Sequence, residues 1–209
     1  MIKAAARLTL LALFLPLLLN ANYILKNNLL NPEAEKFVET MAEELHAKTG
    51  INGYLVATNE HFPERFNLVA YSRKYEANTS KPFVIFLFAP FALITEKSQQ
   101  RGRVAIIPSS KEIGSMYDKG DVMDATVDVI AGLDKNKIED KHAIGVVQGF
   151  SELADQIAKA KGVELKSTIK ETRQVLWIVK VFVLIGSALV FWMFLIRPLY
   201  VRMKHGKNK

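Results

Sequence analysis

The best polar constellation in the chain is "YDKGDVMDATVD", which holds Asp118, Asp121, Asp124 and Asp128. Asp121, Asp124 and Asp128 stand at i, i+3 and i+7, a spacing that shares one helix face, with Asp118 just upstream. Hard oxygen donors of this kind suit Ca2+ or Mg2+, and an ion held there could serve a divalent-metal-dependent phosphatase. The competing reading is a solvated helix face whose acids lie near the positive helix N-terminus. The spacing favours the solvated face, because no EF-hand loop is present. "DKNKIED", 134–140, fails that pattern too, with Ile138 and Glu139 where a ligand and a glycine are required.

Other residue types point less clearly to chemistry. His46, His61, His142 and His205 are scattered without ligand spacing and read as surface or boundary residues. Ser109 and Ser110 follow the strand-like "RVAIIP", at an end of a strand where α/β folds often bind ligands, but no base accompanies them in sequence. Neither a GxSxG elbow nor a glycine-rich phosphate loop occurs. Cysteine is absent, which excludes thiol catalysis and thiolate zinc sites and leaves an exported domain to be held by its core alone.

The elements that would position these residues follow from periodicity. Asn31-Pro32-Glu33-Ala34-Glu35 is a helix start, with a capping Asn, Pro in the first turn and acids facing the dipole. Ala34, Phe37, Val38, Met41 and Leu45 continue it on one face, and Thr49-Gly50 closes it. "GYLVAT", 53–58, has strand composition, and a helical stretch is predicted from Pro63 to about Tyr75. "KPFVIFLFAP", 81–90, is apolar on both alternations, which predicts a central strand buried on both faces; a membrane-surface loop is the alternative. "TEKSQQRG" then turns the chain into a strand over Arg103–Pro108, and helices are predicted around Val122–Ile130 and from Ile144 to Lys161, stopping at Gly162. The expectation is an α/β fold: a three-layer-like sandwich of a small mixed sheet flanked by helices.

The two ends are greasy in different ways. Residues 1–21 carry Lys3 and Arg7, then apolar residues from Leu8 to Leu19 broken only by Thr9, and predict a signal peptide cut after Ala21, with an uncleaved anchor as the alternative. Val175–Ile196 is 22 residues long, about 33 Å as a helix, enough to cross roughly 30 Å of hydrocarbon. Trp177, Lys180, Trp192 and Arg197 would sit at its membrane interfaces, Lys180 by snorkelling. Arg197, Arg202, Lys204, Lys207 and Lys209 place the 197–209 tail in the cytoplasm. The domain layout expected is thus a 1–21 signal, an extracytoplasmic α/β domain over 23–165, a juxtamembrane linker over 166–174, the span and the tail. The net charge of +7 belongs to the ends, so it reports topology and gives nucleic-acid binding no support.

The order of a helix ending "KTG", strand "GYLVAT", helix, strand "KPFVIFLF", strand "RVAIIPSS" and two helices resembles the TPM domain family over roughly residues 31–162. The resemblance implies an α/β sandwich in an exported, membrane-anchored protein, and roles that range from maintaining membrane complexes to modulating a receptor, with phosphatase activity and calcium binding in some lumenal members. The acidic lead usual before the first helix is replaced here by "LLNPEAE", and the lead into the central strand by "ANTSKPF", so those activities are not carried over. The reading that follows is a single-pass protein of the cytoplasmic (inner) membrane, with a periplasmic accessory domain that supports a membrane protein complex. The lipid bilayer and a membrane protein are its partners, and a TPM-type phosphatase that uses Asp118, Asp121, Asp124 and Asp128 is the alternative.

Overall fold

Phe83–Ala89 lies at the centre of a four-stranded sheet. The computed structural model describes residues 22–131 and 137–169, together with Leu184, Ser187, Trp192 and Met193. Its strands are β1 (Ile24–Asn27), β2 (Asn52–Ala57), β3 (Phe83–Thr95) and β4 (Gln100–Pro108), in spatial order β1-β2-β3-β4. β1 and β2 are parallel, as are β2 and β3, whereas β3 and β4 are antiparallel, so the sheet is mixed. The described helices are α1 (Pro32–Thr49), α2 (Leu68–Glu76), α3 (Lys111–Gly114), α4 (Lys119–Ala131) and α5 (Ile138–Ala160). The chain is therefore an α/β protein. It divides into two compact units, Met1–Ile169 and Lys170–Lys209.

Helices cover both faces of the sheet, which explains why β3 carries no polar residue from Phe83 to Pro90. Leu55 pairs with Phe86, and Gly53 with Val84, so these four share a face. Phe150 of α5 meets Phe86 edge-on with ring centroids 6.3 Å apart. A Cβ at Gly53 would lie 3.1 Å from both Leu45 of α1 and Phe150, so α1 and α5 close down on the sheet here. On the opposite face Lys26, paired with Val56, reaches Tyr71 of α2, and the Arg103 guanidinium donates to the Phe66 carbonyl at 2.7 Å. Every residue from Phe83 to Pro90 is buried.

Local signals set the helix ends. The Asn31 side chain accepts from the Ala34 N–H at 2.8 Å, Pro32 opens α1, and Gly50 stops it at φ 71°, a left-handed position that suits glycine. Val38, Met41, Ala42 and Leu45 form the buried stripe of α1. Asn67, not Pro63, caps the next helix, accepting from the Ala70 N–H at 2.9 Å, so α2 begins later than the sequence predicts. Helix α5 begins at Ile138, earlier than Ile144, and presents Val146, Phe150, Leu153 and Ile157 to the core.

Two features of the sheet lie outside the sequence-based expectation. Strand β1 was not predicted at all. β3 also continues past Pro90 to Thr95: proline offers no N–H to the ladder, and the β3–β4 register shifts there, from Ala89 opposite Arg103 to Leu93 opposite Arg101. Among the described residues no helix is long and apolar enough to cross a membrane. The expected signal over 1–21 and tail over 197–209 lie outside the described residues, as do Trp177, Lys180 and Arg197. Of the expected span, Leu184 and Ser187 are helical, and Leu184, Trp192 and Met193 are exposed apolar side chains.

Helix α5 packs closely on α4 through Gly145 and Gly149, one turn apart. A Cβ at Gly149 would collide with the Thr126 hydroxyl and lie 2.8 Å from Cζ of Phe86. Helix propensity alone would reward Gly149→Ala by about 1 kcal/mol, but overpacking costs about 1–3 kcal/mol. The contact should win: Gly149→Ala is expected to lower the denaturation free energy by up to about 2 kcal/mol, and a rise in urea midpoint would show the close approach to be absent.

Candidate functional site

Of the four aspartates, Asp118 and Asp121 act at the start of α4, and the structure does not gather the four. The Asp118 carboxylate accepts from the Asp121 N–H at 3.1 Å, the capping arrangement for this helix. The Asp118 N–H in turn donates to Gln156 of α5 at 2.6 Å, and the Gln156 amide reaches both Glu152 at 2.6 Å and Asp121 at 3.5 Å. Asp124 and Asp128 lie further along α4, exposed. Among the described residues no three histidines or carboxylates come together to hold a metal ion. Asp118 and Asp121 therefore tie the α4 start to α5.

The serines and histidines are also engaged by the fold. The Ser109 hydroxyl accepts from the Phe83 N–H at 2.9 Å, and Ser110 caps α3 through the Ile113 N–H at 3.3 Å, so both hold the end of the sheet. His46 is exposed beside Tyr23, and His61 stacks on Phe91 with centroids 5.1 Å apart. His142, expected at the surface or its boundary, is only 7% exposed and sits edge-on to Phe88 and Phe91. Burial lowers its pKa, with the Glu139 carboxylate pulling the other way. His205 lies outside the described residues.

Two polar clusters escaped the sequence reading. Beyond the carboxyl ends of β1 and β2, the Lys26 ammonium pairs with Glu60, whose carboxylate also accepts from Tyr71 at 2.8 Å. The Tyr71 and Tyr75 hydroxyls are 3.4 Å apart, and the Lys74 ammonium lies 3.7 Å over the Tyr71 ring. Hydrogen bonds from Lys26 and Tyr71 lower the Glu60 pKa despite burial. Burial also acts to lower that of Lys26, but Glu60 and Tyr71 outweigh it and raise the value. Each charge in this cluster already has its partner, so it braces β1 against α2.

The second cluster holds the end of the unit. Glu44 of α1 accepts from the N–H of Lys166 at 2.9 Å, and from the N–H and hydroxyl of Ser167 at 2.8 and 2.6 Å, while Lys48 pairs with it at 2.7 Å. Burial alone would raise the Glu44 pKa, but the Lys48 ammonium, the Ser167 hydroxyl and the two backbone donors bring it down to about 2. The Ile169 N–H donates to the Ser151 hydroxyl at 2.7 Å, and Leu165 is fully buried. Residues 166–169, the start of the expected juxtamembrane linker, are thus docked on α1 and α5.

Beside that docked segment runs an open groove of about 450 Å3 between the N-terminal halves of α1 and α5. Phe37, Ile144, Val147 and Ile169 line it, and among the described residues Glu33 and Asp140 are the charged ones that do. Phe37 is 54% exposed, Ile144 39% and Ile169 37%. Singly such residues are ordinary, but three around one groove mark a surface that can be covered. Comparison with known proteins finds no matching family model and no matching curated protein.

Two outcomes follow from this geometry. Asp118→Ala should cost about 1 kcal/mol, the value of a lost helix cap, and the loss should be the same with and without millimolar Ca2+ in a thermal melt. The lowered pKa of His142 makes the unfolded chain the better proton acceptor. Its contribution is therefore fully present above the unfolded value of about 6.5 and is lost as pH falls toward the folded value. The Glu44 contribution is retained until pH falls below 4.5 and disappears toward 2. Stability measured from pH 7 to 5 should therefore decline, and His142→Gln should flatten the decline.

Proposed function

We propose that this protein is a membrane-anchored extracytoplasmic accessory domain of the TPM type, which supports the assembly, maintenance or regulation of a membrane protein complex. The observation that carries the reading is the docking of 166–169. The Glu44 and Ser151 contacts hold the chain to the domain as far as Ile169, and only five residues, 170–174, then precede the apolar run from Val175. A domain tethered so closely to a bilayer meets partners in or on that bilayer. The exposed Leu184, Trp192 and Met193 fit a segment covered by lipid or another helix. The basic tail after Ile196 supports a cytoplasmic C-terminus and, for a single span, an extracytoplasmic domain. In this reading α2 on one face, and α1 and α5 on the other, make the three layers of the exported sandwich, followed by one C-terminal transmembrane helix.

The absence of cysteine makes the topology test clean. A lone cysteine at Glu112→Cys should react with an impermeant maleimide on intact cells, and one at Lys209→Cys only after permeabilisation. The accessory role is tested by photo-crosslinking from surface positions of the full chain in intact membranes. Adducts with one integral membrane protein are expected, and recovery of lipid adducts and uncrosslinked chain alone would sink the reading.

A further inference from the structure

The groove between the N-terminal halves of α1 and α5 has a chemistry that narrows its occupant. Its floor is Phe37, Ile144, Val147 and Ile169, and among the described residues its charged rim is Glu33 and Asp140, while neighbouring Lys36 and Lys137 do not line it. Glu33 lies in the first turn of α1 and Asp140 in that of α5, where helix dipoles favour acids. The rim is therefore negative without cost to the fold. We infer that this groove is the docking site for an amphipathic helix with an apolar face and flanking Lys or Arg, supplied by the extramembrane part of an integral membrane protein. The inference rests on the accessory reading above and names the partner chemistry for it.

Three considerations select this occupant. An open trough bounded by two helices accepts a third helix, which buries apolar residues spaced by three and four along its floor. An acidic rim repels anionic headgroups, which argues against insertion of this surface into lipid. Position is the third: Ile169 belongs to the groove, and the chain from Ile169 to Val175 reaches at most about 21 Å when fully extended. A partner that rises from the same bilayer is then within reach of the groove. The opposite-charge rim would steer and orient it, and the apolar floor would hold it.

The test uses the full chain in native membranes, with a photo-crosslinking amino acid placed at Phe37 or Ile144 in the groove, and at Val69 or Ile94 as exposed apolar controls away from it. The expected result is an adduct from the groove positions whose crosslinked peptide, mapped by mass spectrometry, is an apolar helical segment bearing Lys or Arg. Glu33→Lys with Asp140→Lys should lower its yield by roughly tenfold, since attractive pairs become repulsive ones. The neutral pair Glu33→Gln with Asp140→Asn should lower it less, and a thermal melt of each variant checks that the fold is kept. Groove adducts with lipid, with a second copy of the chain or with an acidic peptide overturn the inference, as does a yield indifferent to the charge reversal in folded protein. Adducts with a membrane protein from Val69 or Ile94 alone overturn the groove but leave the accessory reading standing; no protein adduct from any position removes both.

Discussion

Burial of β3 on both faces is the constraint on which the rest of this structure depends. Phe86, Ile85, Leu87 and Phe88 are shielded from water above and below the sheet, and each such side chain gives about 1.5–3 kcal/mol relative to exposure. That gain exists only if helices cover both faces. It explains why α1 and α5 are drawn to one side at Gly53, and why α2 and the aromatic group of Phe62, Phe66 and Tyr71 occupy the other. It also explains the small residues of α5. Phe86 fills the space beneath Gly149, and Thr126 of α4 approaches it from the side, so a larger residue there has nowhere to go.

With the sheet committed in this way, the polar residues of the domain serve mainly to close its margins. Asp118 and Gln156 fasten the start of α4, Ser109 and Ser110 the end of β4, and Lys26 with Glu60 the outer strand β1. Groups that resemble a catalytic set in one dimension thus make their hydrogen bonds to the fold in three. Two members of the aspartate quartet are engaged at the helix start, and the other two are exposed.

Much of the fold was legible in the sequence because its signals are local. The α1 cap and stop are set by Asn31, Pro32 and Gly50, and the two-sided apolarity of Phe83–Ala89 announces a central strand without reference to anything else. Strand β1 was not legible, since "ILKN" is four residues with no alternation of its own and gains its identity only by pairing with β2. The extension of β3 past Pro90 was hidden for a related reason, because proline is a break unless a bulge absorbs it. At the site level the limit is separation along the chain. Lys26 and Tyr71 lie 45 residues apart, and Glu44 and Ser167 lie 123 apart, so no spacing rule could join them.

The docking of 166–169 gives the groove a mechanical meaning that its shape alone would not have. Ile169 is held by Ser151 and, through its neighbours, by Glu44, and it also forms part of the groove floor. Whatever covers the floor buries Ile169 further, and so strengthens the attachment of the segment through which the chain leaves the domain. By linkage the converse holds as well: a docked exit segment completes the floor and favours the occupant, to the same extent that the occupant favours docking. With a pKa near 2, Glu44 stays charged at any pH above its ordinary range. The charge of the clamp is therefore constant over that range, and coverage of the proposed groove site would act on the docked segment through Ile169.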